Sequence, residues 1–391
     1  MVLKKQKICS RCILDTTVPD IRFDEKGVCN YCKIHDDFEK KYPLNAETEK
    51  NMAQLVERIK KDGKNKKYDC IVGVSGGTDS TYCVYLTHKW GLRPLAVHLD
   101  NGWDSELAVN NIKLILSKLD IDLYTSVLNW EEFKDLQIAF LKASVPDIEI
   151  PTDIAIYAIL YNTAAKYNVK WVVNGHSFRT EGTSPLRWTY MDGKYIESVY
   201  KKFGKNKKLR TFPNLKISNL LNYMFVKKIK EFRPLEYINY DKQEMGKFLT
   251  KEFGWTPSGG IHYESTYTRF LHSYILIKKF NIDYRKVTLS ASVRSGKITR
   301  DDALNKLKIL PVSENQIKED MNYVIKKLNL SEKEFKDIMN ETPKSFLDYS
   351  TNYQTIRKLR IPIKLACKFN LLPKIFYEKY FDDYAAKEEY K

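Results

Sequence analysis

The sequence predicts an α/β protein: a parallel sheet with helices between its strands, preceded by a small four-cysteine module and followed by a mostly helical region. Three observations carry that prediction. From residue 68 to residue 173, short apolar runs alternate with helix-length segments, the pattern of successive parallel βαβ units. Four of the seven cysteines lie within the first 32 residues as two Cys-x-x-Cys pairs. From Gly254 on, helix-capping signals such as Ser313-Glu-Asn-Gln316 and Ser331-Glu-Lys-Glu334 replace strand signals.

The cysteine module comes first. Cys9-Ser-Arg-Cys12 and Cys29-Asn-Tyr-Cys32 are separated by sixteen residues. Two tight turns of this kind can bring four thiolates around one ion, and the spacing falls within the range of four-cysteine zinc ribbons. The expected ligands of a Zn²⁺ are therefore Cys9, Cys12, Cys29 and Cys32. Four thiolates leave no open coordination position, so the role is structural. An iron–sulfur cluster, free thiols, or replacement of one cysteine by His35 are the alternatives.

The chain divides into a module over 1–45, a linker helix over 46–66, an α/β core over 67–254 with an insertion over 178–230, and a helical substrate or partner region over 255–391. Within the core, strands are expected over 68–74, 92–99, 123–128 and 170–173, with a fifth beginning at Arg233-Pro234-Leu235. Helices are expected over 81–89, 105–119 and 152–167, and Asp241-Lys-Gln-Glu244 opens another with capping chemistry.

The formal net charge of +17 fits nucleic acid, a membrane surface or small anionic substrates such as nucleotides. Six of the ten residues from Lys201 to Arg210 are basic. No stretch approaches the roughly 18 apolar residues of a spanning helix, and the N-terminus carries no apolar signal segment. A cytoplasmic protein with no membrane partner is expected. The scattered remaining cysteines (Cys70, Cys83 and Cys367) argue against a disulfide framework.

The first strand runs into Ser75-Gly76-Gly77-Thr78-Asp79-Ser80 and then a helix. Glycines let backbone N–H groups turn inward and the helix N-terminus favours an anion, so the turn suits phosphate. Asp79 would repel a phosphate unless it holds Mg²⁺ or fixes the loop. Neither Gly-x-x-x-x-Gly-Lys-Ser/Thr nor Gly-x-Gly-x-x-Gly is present. The hexapeptide resembles the pyrophosphate loop of the PP-loop ATP pyrophosphatase superfamily, of adenine nucleotide alpha hydrolase-like fold. That resemblance implies ATP and Mg²⁺ at Ser75, Gly76, Gly77, Thr78, Asp79 and Ser80. It places adenine and ribose at His98, Leu99, Asp100 and Asn101, and a further contact at Gly175-His176. Ser75, Asp79, His176 and Glu181 are the catalytic candidates.

Sulfur-transferring members need reactive cysteines near the nucleotide, and none is well placed. Ammonia is therefore the expected nucleophile. Position 2 is Val2 and no Gly-x-Cys-x-Gly elbow occurs, so a separate glutaminase subunit is the expected ammonia source, with free ammonium as the alternative. The stretches Cys9 to Ile21, Ile150-Pro151-Thr152-Asp153, Trp255-Thr-Pro-Ser-Gly-Gly260, His262-Tyr263-Glu264-Ser265 and Ser295-Gly296-Lys297-Ile298-Thr299-Arg300 resemble N-acetyl sugar amidotransferases of the WbpG/PseA type, from surface-polysaccharide and flagellin-sugar pathways. The resemblance implies that ATP activates the acetamido oxygen of an amino sugar or nucleotide sugar, and that ammonia then yields an acetamidino group. His262, Glu264, Arg269, Arg285 and Arg300 are the substrate-contact candidates. The rival reading is a PP-loop tRNA-modifying enzyme transferring sulfur or nitrogen, although no RNA-module signature supports nucleic acid as a partner.

Overall fold

The computed structural model describes residues 7–260, 263–368, 377, 380 and 381. Five strands form one parallel sheet in the order β3-β2-β1-β4-β5, where β1 is Cys70–Gly73, β2 Pro94–Asp100, β3 Leu123–Val127, β4 Trp171–Val173 and β5 Lys230–Phe232. Register sets Val72 between Ala96 of β2 and Val173 of β4. The chain builds outward from β1 to β3, then returns to the other side of β1 for β4. A crevice opens at such a reversal, beyond the carboxyl ends of the central strands.

Period-2 alternation explains why the sheet is covered on both faces. Ile71, Leu95 and Val97 pack into one apolar core with Ile154 and Ala158 of helix Ile150–Lys166. Cys70, Val72 and Ala96 point the other way, against Cys83 and Val84 of helix Thr78–Lys89 and Ile112 and Ile115 of helix Glu106–Leu119. Cys70 and Cys83 are wholly buried and act as small apolar side chains. Each fully buried aliphatic side chain here contributes roughly 1.5–3 kcal/mol.

Helix ends follow local chemistry. Ser105, Asp241, Ser313 and Ser331 each accept backbone N–H bonds as N-caps. The fifth strand differs from expectation: it ends at Phe232, before Arg233, because Pro234 has no N–H for a sheet ladder and instead starts the 3₁₀ turn Pro234–Glu236. Helix Trp130–Ala143 was not foreseen. It is capped by Asn129, but nine of its fourteen residues are buried, so it carries no clean polar face to reveal its period.

The insertion packs on that helix through helix Gly193–Phe203. Tyr200 donates to Asp135 at 2.9 Å, and the Glu132 carboxylate accepts the backbone amides of Arg210, Thr211 and Phe212. These contacts tether the basic loop by its backbone and leave its lysines exposed.

Ion pairs and hydrogen bonds bolt the cysteine module to the core. Arg179, 5% exposed, forks onto Glu39 at 2.8 and 2.6 Å. Lys286 pairs with Asp15 at 2.7 Å. Arg300 donates to the carbonyls of Cys9 and Cys12. Among the described residues, no helix is long and apolar enough to cross a membrane.

Candidate active site

The Ser/Gly loop is held from behind. The Gly76 carbonyl accepts from Trp255 Nε1 at 2.8 Å and from Asn111 Nδ2 at 3.2 Å, while Asn111 also exchanges bonds with the Thr256 backbone. Gly76 sits at φ +80, and a Cβ there would lie 2.4 Å from the Ala108 carbonyl, so only glycine fits. With this carbonyl turned back, the loop crosses into helix Thr78–Lys89, whose first-turn amides have no partner within the helix. Ser75 and Ser80 close the loop, their hydroxyls 3.1 Å apart.

A cavity of about 390 Å³ opens where β1, β2 and β4 end. Ser75, Gly77, Asp79 and Ser80 line it from the loop, His98, Leu99 and Asn101 from β2 and its turn, and Gly175, His176 and Glu181 from the segment after β4. Gly76 and Thr78 support the loop from outside the lining. Asp100 is a correction: it does not line the cavity, because its carboxylate caps the turn by accepting the Gly102 amide at 2.9 Å.

Most charged groups at the loop end have a partner. Asp79 accepts from Lys242 Nζ at 2.6 Å and from the Tyr240 hydroxyl. Burial works against a charge on Lys242, but Asp79, with Glu181 and Glu264 beyond it, outweighs burial and raises its pKa. His98 lies 3.3 Å from Asp104 as an ion-pair contact without good hydrogen-bond alignment, and its Nδ1 meets the Val74 carbonyl at 3.0 Å. Burial lowers the His98 pKa; Asp104 and the Val74 carbonyl more than reverse this. His176 and Glu181 pair at 3.3 Å. The loop contacts of Lys242, Asn111 and Trp255 are not visible in the sequence, although Trp255 opens one of the stretches that carry the family resemblance. Lys242 follows the N-cap Asp241 as the first residue of a helix, and nothing local marks it as facing the loop.

The opposite end of the cavity is apolar and acidic. Trp188, Leu276, Ile282 and Tyr284 form part of its wall. Trp188, Leu276 and Ile282 also share one packed cluster with Cys9, Cys12, Cys29 and Cys32, so the cysteine module backs this wall directly. Asp153 lines the cavity too. Burial, then the neighbouring Glu149 and Glu181 charges, push its pKa up to about 8. Asp147, pushed up to about 7 by burial, accepts from Tyr195.

Glu264 reaches the loop because Asp104 and Ser265 form a bridge and the Ser105 amide donates to the Glu264 carbonyl at 2.8 Å. The arginine candidates are placed elsewhere and leave the substrate set. Arg269 is engaged bidentately by Asp320, both contacts at 2.7 Å. Arg285 forks onto Asp283 and caps the carbonyls of Lys306 and Ile309. Arg300 braces the cysteine turns. All three guanidinium groups are satisfied by protein atoms outside the cavity. His262 lies outside the described residues.

The four thiols of the module are fully buried, and the ligand atoms lie within 4.8 Å of one another. Sulfur–sulfur distances of 3.7, 3.7 and 3.9 Å match the roughly 3.8 Å edge of a tetrahedron with metal–sulfur bonds of about 2.3 Å. Backbone amides of Arg11, Cys12 and Cys29 point at Cys9 Sγ, as a bound thiolate requires. His35 is outside the cluster, 3.4 Å from Glu39 and edge-on to Phe178.

Residues 264–360 match the family model for the C-terminal domain of WbpG-like LPS biosynthesis proteins. This part of the chain is WbpG-like. The WbpG-like region supplies Glu264, Ser265, Thr268, Leu276 and Tyr284 to the same cavity that the Ser/Gly loop lines. Over 131 residues the chain is 32% identical to the uncharacterized protein MJ1599 of Methanocaldococcus jannaschii, covering 33% of this chain and 44% of that one. The chain thus spans less than half the length of this curated relative. Among solved structures, similarity extends to the NMN synthetase of Francisella tularensis (17% identity, 72% of this chain and 96% of that chain, TM-score 0.31). It extends also to the NH3-dependent NAD synthetase of Campylobacter jejuni (12%, 76% and 98%, 0.31) and to the U34-tRNA thiolase NcsA of Methanococcus maripaludis (14%, 77% and 88%, 0.31). At these TM-scores none of the three bears on the chemistry of the site.

Proposed function

We propose that the chain is an ATP-dependent, AMP-forming amidotransferase acting on the acetamido group of an amino sugar or nucleotide sugar in surface-polysaccharide or flagellin-glycan synthesis. The observation that carries this reading is the shared cavity. Its one end is a phosphate-accepting loop, and its other wall comes from the WbpG-like region.

The chemistry follows from the groups present. ATP lies with its phosphates against the first-turn amides after Gly77, with its adenosine toward His98 and Asn101. The acetamido oxygen attacks the α-phosphorus, the bond to pyrophosphate breaks, and an O-adenylyl imidate forms. Ammonia adds to the imidate carbon and AMP leaves, giving the amidine. A weak amide nucleophile needs fixed geometry and neutralised charge on the departing group. Lys242 and the loop amides supply that neutralisation. Asp79 and Glu181 line the cavity with carboxylate oxygens, and one or both, together with the phosphates, would hold Mg²⁺, which when bound would offset pyrophosphate charge.

In this reading the four-cysteine site holds structural Zn²⁺, and ammonia comes from a partner glutaminase. No cysteine lines the cavity among the described residues, which weighs against the sulfur-transferring form of the tRNA-modifying alternative. The direct test is exchange of labelled pyrophosphate into ATP in the presence of a panel of acetamido sugars and their nucleotide-linked forms. Exchange that depends on one such sugar supports the reading. Exchange promoted by tRNA and by no sugar overturns it.

A further inference from the structure

One surface region stands apart from the site in both charge and hydropathy. From Ser198 to Lys230 there is no Asp or Glu, while ten Lys or Arg residues occur, in a chain that otherwise carries 49 acidic groups. At its end, helix Ile217–Leu221 and the π turn Asn222–Val226 expose Ile217, Leu221, Met224, Phe225 and Val226. Leu221 is 50%, Phe225 58% and Val226 70% exposed. Lys216, Lys227 and Lys228, all exposed, frame this apolar face on both sides.

The face is rigidly presented. Tyr223, buried in the same turn, stacks on Tyr161 with ring centroids 5.5 Å apart, and its hydroxyl donates to Asn162 of helix Ile150–Lys166. One rim of the face is therefore nailed to the core while the apolar side chains point away. A second acid-free segment repeats the chemistry: Leu359, Ile361 and Leu365 are exposed among Lys358, Arg360, Lys364 and Lys368. Segment 349–353 leading into it packs on helix Gly193–Phe203, through the Ser350 amide donating to Ser198 and Tyr349 against Tyr195.

We propose that the 216–228 face docks on an anionic membrane surface. Nucleic acid would use the lysines but gives no reason for five exposed large apolar side chains within ten residues. A bilayer of acidic lipids offers both components at once: anionic headgroups for the lysines and, beneath them, an apolar layer for Leu221, Phe225 and Val226. The docking is peripheral, and it is independent of the reaction assigned to the cavity.

The test is co-sedimentation of the full chain with vesicles of phosphatidylcholine and phosphatidylglycerol, against vesicles of phosphatidylcholine alone. Binding to the anionic vesicles only, weakened by added salt, is expected. The double variant Phe225→Glu/Val226→Glu replaces exposed side chains, so it should keep the native melting profile while binding about tenfold or more weakly. Lys227→Glu/Lys228→Glu should weaken binding and flatten its salt dependence. The proposal is overturned if the native chain ignores anionic vesicles, or if both double variants, shown folded by their melting curves, bind as the native chain does. Binding of total tRNA unaffected by Phe225→Glu/Val226→Glu, with no vesicle binding, also overturns it.

Discussion

The two ends of the cavity are built on opposite plans. At the loop end, nearly every charged group is matched within a few ångströms: Asp79 with Lys242 and Tyr240, His98 with Asp104, His176 with Glu181. The far end is walled by Trp188, Leu276, Ile282 and Tyr284, with the cysteine module behind it. On the proposed function, the loop end is preorganised for the charge of the nucleotide, and the far end for the shape of the acceptor. Damage to the first should therefore strike the chemical step, and damage to the second should strike recognition of the acceptor.

The largest effect is expected at the loop. Asp79→Ala should abolish AMP formation, measured by chromatography, and lower the melting temperature by several degrees, because Lys242 and Tyr240 lose their partner; Asp79→Asn should abolish AMP formation with a smaller loss of stability. Lys242→Ala removes one preformed cation from the departing pyrophosphate, and kcat should fall about 10²–10³-fold with a smaller change in the KM for ATP. Equal loss in KM alone would assign Lys242 to ground-state binding.

The far end predicts a different signature. Trp188→Ala should raise the KM for the sugar about tenfold and leave the ATP KM nearly unchanged, because Trp188 lines the cavity and packs with the cysteine module. Cys12→Ser, or chelation, should lower the melting temperature and loosen the sugar site before the nucleotide site. Metal content, melting and nucleotide binding by calorimetry separate these outcomes. A metal lost with no change in stability would break the link between module and wall.

The smallest effect is a matter of pH. The Asp153 pKa is raised in the folded chain to about 8, above its ordinary value of 3.8. The sign follows from proton linkage: the folded state binds the proton more tightly, so this group's contribution favours folding at low pH and is lost as pH rises toward 8. Asp153→Asn should thus raise the melting temperature by a few degrees at pH 8 and by less at pH 5.

The same contrast explains what the sequence could disclose. The loop end is written in consecutive letters, so Ser75 to Ser80 is legible through its resemblance to a pyrophosphate loop, and the paired cysteines are legible from their spacing. The first four strands were legible because they are short apolar runs, to within a few residues at each end, whereas Lys230–Phe232 is not such a run and was displaced onto Arg233. Helix Trp130–Ala143 was hidden by being buried nearly all round. Lys242, Trp255 and Asn111 meet the loop across separations of 163, 179 and 35 residues, and no local pattern encodes such meetings. The arginine candidates failed for a related reason. Charge type suggested anion contacts, whereas Asp320, Asp283 and the cysteine-turn carbonyls claim those guanidinium groups within the fold.

The central claim is that ATP held at the loop activates an acetamido oxygen presented at the far end. The measurement that tests it most directly is mass spectrometry of products after incubation with ATP, Mg²⁺, ammonium and acetamido sugars, free and nucleotide-linked. The account predicts AMP, pyrophosphate and a sugar in which NH has replaced the acetamido oxygen, with none formed by Asp79→Ala. ATP cleavage with no such replacement on any acetamido sugar would contradict it.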